Sequence, residues 1–342
     1  MKVQLTAAAT LISSVFFPIA ANAEDVTLRF SNWLPPTHLL STEVIEPWAE
    51  QIEEVTEGRV NVQILSGLGS PESHYNLVKN GVADLAFSVD GYTSDRFVLP
   101  YAMRLPFLAD DSTTASVAYW RTYKELLEQY NEFGDVKVMG LWTFGPGNIH
   151  TTEREITSLE DFEGLRIRVS SDIVKDIVET LGGSPMFAPA SEVYELISRG
   201  VVDGASFNYD SITSFRIDDS LNYVLDIPGG LYRETHYIIM NQRKWDALEP
   251  RDQEAIMEVS GEALAILAGN AWDRNDAIAK ERLIEQGYTI TVPDEAFLQE
   301  IETELSVLAE DWKERVAPMG VDGQLVIDTF KEHIEQAEQE LN

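Results

Sequence analysis

Two distant segments of this chain share a faint common pattern. Residues 76–87, NLVKNGVADLAF, read as the end of a helix, a glycine stop, Val-x-Asp and a short strand. Residues 195–207, ELISRGVVDGASF, follow the same plan, with Gly200 answering Gly81 and Asp203 answering Asp84. VTLRFSN (26–32) likewise matches LRIRVSS (165–171): a strand, a small polar loop, then a helix. Between the strands VTLRF (26–30) and VNVQIL (60–65), Val44, Trp48, Ile52 and Val55 step by four, four and three, the apolar stripe of an amphipathic helix. Strand–helix–strand is the unit of a parallel α/β sheet. Two lobes built on one plan accommodate this repetition better than one large sheet.

The chain must then cross between the lobes. GPGNIHT (145–151) and PGGLYRET (228–235) are rich in turn formers and serve as crossovers, the second leading into a buried strand, HYIIMN (236–241). Thereafter the pattern is helical. Residues 250–286 keep one apolar stripe, predicting a helix of roughly 50 Å at 1.5 Å per residue, long enough to run across both lobes. Residues 294–316 and 324–342 read as further helices.

Residues 1–23 read as a signal peptide: Lys2, a mostly apolar stretch broken by Ser13, Ser14 and Pro18, then Ala21-Asn22-Ala23 before the cut. The stretch is too short for a membrane span, which takes roughly 20 apolar residues, and no later stretch is apolar enough. The expected location is therefore the periplasm, without stable membrane insertion. The chain has no Cys, so disulfides and thiolate metal sites are excluded. Its 58 Asp and Glu against 25 Lys and Arg, a formal charge of −33, argue against nucleic acid, whose phosphates demand cations.

No catalytic constellation emerges. The five histidines (38, 74, 150, 236, 333) form no HExxH, and there is no nucleophile elbow, phosphate loop, dinucleotide fingerprint or EF-hand spacing. No cofactor and no metal is expected. What remains points to binding. Arg166 and Arg168 alternate with apolar residues toward a strand tip, where doubly wound sheets place ligand contacts. Arginine suits a carboxylate because its planar fork donates two charge-assisted hydrogen bonds at once. Arg168 lies nearer the tip and is the candidate; Arg166 is assigned to solvent or a surface acid. Trp33, Tyr92, Trp142, Phe144, Phe207, Tyr209 and Tyr237 all fall near predicted strand ends, where rings can enclose a flat or cationic group.

SLEDFEGLRIRV (158–169) followed by GGSPMFAPASEVYELISRGVVDGASF (182–207) resembles the extracytoplasmic solute receptors of TRAP transporters, the DctP-like substrate-binding proteins. SNWLPPTHLLS (31–41), GYTSDRF (91–97) and GPGNIHT resemble one branch of that family. The resemblance implies an α/β, two-lobed periplasmic binding protein fold with an interlobe cleft, a long lobe-spanning helix and a helical C-terminus. It assigns 24–147 plus about 235–260 to lobe I, 148–234 plus about 285–315 to lobe II, about 250–286 to the spanning helix and 316–342 to a C-terminal helix. It also implies a small organic carboxylate as ligand and the subunits of a TRAP membrane permease as partners. The family's carboxylate-clamping arginine falls on Arg168, and the segment after Val-Asp-Gly falls on Ser206, Phe207 and Asn208. Ser206 stands where some members use a glutamate to help hold sodium, which puts such a metal in doubt; Asn148 stands where some have a second arginine. The expected site is therefore Arg168 with walls of Trp33, Tyr92, Trp142, Phe207, Tyr209 and Tyr237, and hydrogen-bond partners Asn148, His150 and Asn208. Its aromatic load favours an aromatic or zwitterionic acid. Two other readings are a secreted enzyme using His150 or His236 as base, and a receptor for a sensor kinase.

Overall fold

The computed structural model describes residues 25–341. The signal peptide expected over residues 1–23 lies outside them. Eleven strands form two sheets among the described residues. In chain order they are β1 (Val26–Asn32), β2 (Val60–Ser66), β3 (Leu85–Val89), β4 (Val136–Thr143), β5 (Asn148–Thr151), β6 (Arg166–Val169), β7 (Ser184–Phe187), β8 (Gly204–Phe207), β9 (Tyr223–Leu225), β10 (Thr235–Asn241) and β11 (Thr289–Thr291).

The first sheet has the order β2-β1-β3-β10-β4 and the second β11-β9-β5-β8-β6-β7. In each, three parallel strands meet one antiparallel strand contributed from across the molecule. β10 runs antiparallel beside β3, and β5 antiparallel beside β8. The chain crosses between the sheets after β4 and again before β10, at the two turn-rich segments. The fold is the two-lobed α/β architecture expected.

The repeat extends to individual hydrogen bonds. Asp84 accepts from the backbone N and the Nε of Arg29 at 2.9 and 3.0 Å, and Asp203 accepts from the same two atoms of Arg166, both at 2.9 Å. Gly81 and Gly200 both close the preceding helix with positive φ, 74° and 64°, a conformation glycine adopts without a Cβ penalty. Arg166 is thus held by its lobe's own aspartate. The structure also corrects the match of the two strings. End to end they pair Arg29 with Arg168, whereas in space Arg29 corresponds to Arg166 and Ser31 to Arg168. At these matching positions an arginine stands at the tip of lobe II where lobe I has a serine.

The helix expected over 250–286 is two, Pro250–Glu258 and Glu262–Glu285. Gly261 breaks it: its N–H donates to Met139 O at 2.7 Å, its φ is +58°, and a Cβ there would meet Trp120 at 2.6 Å. The apolar stripe runs through the break, so periodicity alone reads one helix. The longer piece, about 36 Å, still ties the lobes. Asp273 accepts from Ser112 N and Thr113 N at 2.6 and 2.9 Å, at the start of the Ser112–Thr122 helix on lobe I. One turn later Asp276 accepts from Asp210 N at 2.7 Å and Asn208 Nδ2 at 2.8 Å, beside β8. The expected C-terminal helix over 316–342 begins at Gly323 and runs to Leu341, and the segment before it is split into Glu295–Leu305 and Val307–Val316. His333 Nδ1 lies 3.0 Å from Thr122 Oγ1, so the last helix packs back onto lobe I. Among the described residues no helix is long and apolar enough to cross a membrane.

Candidate functional site

The carboxyl ends of the parallel strands of both sheets face one another across a pocket, the place where open α/β sheets bind ligands. Its lining includes Trp33, His38, Phe87, Tyr92, Phe144, Arg168, Ser170, Phe207, Phe215, Tyr232, Glu234, His236 and Trp272.

Arg168 is 1% exposed. Its position follows from β6, whose alternation puts Ile167 in the core and swings the neighbouring side chain to the other face. Its Nε donates to Ala188 O at 2.7 Å and Nη1 to Ser206 O at 3.2 Å, while its guanidinium lies 4.5 Å from the centre of the Phe207 ring. Nη2 is buried with no hydrogen-bond partner. Of five N–H donors, two are committed to carbonyls and the rest remain for a ligand. Buried donors are normally paired, so this one is open to a group entering the pocket that Arg168 lines.

The walls are rings. Trp33 stacks on Phe87 at 5.8 Å and 18°, Phe87 on His236 at 5.6 Å and 21°, and His236 on Trp272 at 5.9 Å and 24°. His38 stands edge-on to Trp272 at 5.8 Å, and its Nδ1 accepts from Leu40 N at 3.1 Å. Burial pushes both His38 and His236 down to about 3, so both are neutral rings at neutral pH. Burial likewise pushes the Tyr92 phenol up, opposed by the Arg168 charge.

These depressed histidines make stability fall in acid. Below about 6.5 the unfolded chain takes up protons that the folded chain refuses until about 3, so this contribution is lost as pH falls through that window. Asp90 and Glu132, both pushed up to about 7 by burial, act in the opposite sense. His236→Phe keeps the stack and removes one of the titrating rings. Its melting temperature is expected to fall less than the parent's between pH 7 and 4; parallel curves would refute this assignment.

Glu234 is 3% exposed and enters from the second crossover. Its Oε1 accepts from Ser170 Oγ at 2.6 Å and Ser171 Oγ at 2.7 Å; Oε2 has no partner. Burial raises its pKa, opposed first by the charge of Arg104 and then by the two serines.

Of the residues singled out in the sequence, the structure brings Arg168, Trp33, Tyr92, Phe144 and Phe207 to this pocket. Trp142 lies one ring behind, stacked on Phe87 and His236, both at 5.8 Å. Tyr237 points to the opposite face of β10 from His236, into lobe I, against Phe97 and Phe133. Asn148 and Tyr209 line a separate cavity with Asp226 and Lys280. Asn148 donates to Asp226 Oδ1 at 3.3 Å, and Asn208 is held by Asp276. His150 lies beneath the pocket floor, 3.2 Å from Phe207 O and 3.1 Å from the Tyr288 hydroxyl. Glu234, Ser170, Phe87 and Trp272 were not anticipated. Ser170 had a signal, being two residues beyond Arg168; Glu234 had none among 58 acids. Among the described residues no group of three or more acids and histidines is placed to hold a metal ion.

The comparisons agree with this architecture. Residues 30–315 match the family model DctP, bacterial extracellular solute-binding protein, family 7. The chain is 30% identical over 327 residues to the outer membrane transporter protein TsaT of Comamonas testosteroni, covering 94% of this chain and 95% of that one. A TRAP periplasmic solute-binding protein of Bordetella bronchiseptica, solved with bound (R)- and (S)-mandelate, superimposes with a TM-score of 0.88 at 35% identity, covering 91% of this chain and 99% of its own. A marine metagenome TRAP solute-binding protein specific for aromatic acid ligands, in complex with metahydroxyphenylacetate, gives 0.86 at 27% identity, covering 91% and 99%. The chain belongs to the DctP family of bacterial extracellular solute-binding proteins, the solute receptors of TRAP transporters.

Proposed function

We propose that this receptor captures a small aromatic carboxylate between its lobes in the periplasm, after removal of residues 1–23, and delivers it to the subunits of a TRAP permease. The observation that carries the reading is Arg168: a buried guanidinium with an uncommitted Nη2, set in a pocket walled by rings. A carboxylate accepts from the free donors of the fork while its ring lies against the stack beginning at Trp33 and Phe87. The relatives that bind mandelate and metahydroxyphenylacetate support the same ligand class. A protein of net charge −33 repels an anion at long range, so binding rests on this local, desolvated cluster. Catalysis has no comparable support. His150 is bonded to a carbonyl and a phenol, and the Nδ1 of His236 has no partner, so neither ring has a carboxylate to orient it as a base.

A thermal-shift panel tests the class. Ligand at about 100 times its Kd stabilises by about 2.7 kcal/mol, a rise on the order of 5 °C for a chain of this length. Aromatic monocarboxylates are expected to give that rise and short aliphatic dicarboxylates to give none. The reverse pattern would overturn the reading.

A further inference from the structure

Tyr232 reaches the pocket from the second crossover and is 1% exposed. Its backbone is fixed: Gly147 N donates to Tyr232 O at 2.9 Å, which joins the two crossovers. Its ring is fixed as well. A Cβ at Gly147 would lie 2.4 Å from Tyr232 Cε1 and 2.7 Å from Cζ, so only a glycine lets the first crossover press on the ring. The Phe144 ring, also in the pocket lining, stands 5.5 Å away at 57°. The hydroxyl that this ring carries is buried and has no hydrogen-bond partner.

Its surroundings place that hydroxyl beside Arg168. Burial pushes the phenol up and the charge of Glu234 adds to this, while Ser206, the charge of Arg168 and Ser170 act the other way. The phenol therefore keeps its proton at neutral pH and stays a donor. Ser206 is bound to Arg168 at both ends: its O accepts from Arg168 Nη1 at 3.2 Å, and its Oγ donates to Arg168 O at 3.1 Å. Ser170 Oγ donates to Glu234 Oε1 at 2.6 Å, so the protons of both serines are committed. The other phenol of the lining differs, because Tyr92 Oη accepts from Ala190 N at 3.1 Å. Two buried donors without partners, Arg168 Nη2 and the Tyr232 hydroxyl, thus belong to residues that line one pocket. Unmet buried donors are costly, and a pair of them suits an acceptor with two oxygens. We propose that the Tyr232 hydroxyl donates to the same ligand carboxylate as Arg168 Nη2, which makes Tyr232 a second residue that selects an ionised acid. The inference rests on the aromatic-carboxylate reading above and adds a contact to it.

Calorimetric titration of phenylacetate into the wild type, Tyr232→Phe, Arg168→Lys and the double variant tests this, beside the melting temperature of each protein without ligand. Tyr232→Phe is expected to lose at least about 10-fold in affinity, as a hydrogen bond to a charged group warrants. Its ligand-free melting temperature is expected to stay within about 2 °C of the parent, because the hydroxyl it lacks bonds to nothing in the protein. If both groups hold one carboxylate, the loss in the double variant departs from the product of the single losses by at least about 3-fold. Tyr232→Phe binding within about 3-fold of wild type would overturn the proposal. So would a ligand-free melting temperature lower by more than about 4 °C, which would show a hydroxyl bonded inside the protein. Losses that multiply to within about 2-fold would place the hydroxyl on another part of the ligand and overturn the shared carboxylate. Each of these leaves the aromatic-carboxylate reading standing; a wild type that binds neither phenylacetate nor any other aromatic monocarboxylate sinks that reading and this inference together.

Discussion

Gly204→Ala is expected to lower the melting temperature by about 6 °C or more, the largest stability loss predicted here for a single methyl group. Gly204 opens β8, opposite Thr151 of β5 and beside Ile167 of β6. A Cβ at this position would lie 2.3 Å from His150 O and 3.0 Å from Ile167 Cδ1. The first of these atoms is backbone and cannot rotate away. β5 would have to move, and β5 also pairs with β9, so the ladder on both sides is disturbed. Overpacking of this kind costs about 3 kcal/mol, and about 2 °C per kcal/mol gives the expected shift. A fall under about 2 °C, with the sheet's circular dichroism intact, would show that lobe II tolerates the side chain and that the close β5–β8 approach is not required.

The repeat was readable because its chemistry is local. The helix stop at Gly81 and Gly200, and the aspartate that opens each strand, sit within a dozen residues of one another. That Arg168 reaches the pocket while Arg166 is held by Asp203 was readable for the same reason: the strand's end and its alternation place one arginine at the tip and leave the other on the flank. Register was not. Nothing local reports that Arg29 and Arg166 answer each other, because the aspartates that hold them come from 55 and 37 residues away. The polar partners failed similarly. Asn148 is held by Asp226, 78 residues on, and His150 meets Tyr288, 138 residues on. Glu234 is made special only by its burial between the lobes, which composition does not encode. The break at Gly261 depends on Trp120 and the carbonyl of Met139, so the stripe through residues 250–286 hides it.

Arg168→Ala is expected to abolish binding of aromatic carboxylates. The ligand's charge would be buried without its partner, and truncating one side of such a pair costs 2–5 kcal/mol, about 30- to 5,000-fold in affinity. Ligand-free stability is expected to change as well, because Ala188 O and Ser206 O each lose a buried donor. Removing a buried cation offsets part of that loss. Arg168→Lys, which keeps the charge and loses the planar fork, is expected to fall between parent and Ala variant. The central claim is that one guanidinium in a ring-lined pocket holds the ligand's carboxylate. Calorimetric titration of an aromatic acid into the folded wild-type and Arg168→Ala proteins tests it most directly. Loss of at least about 30-fold in affinity, with the variant still melting cooperatively, is the predicted result; affinity within about 3-fold of wild type would contradict it.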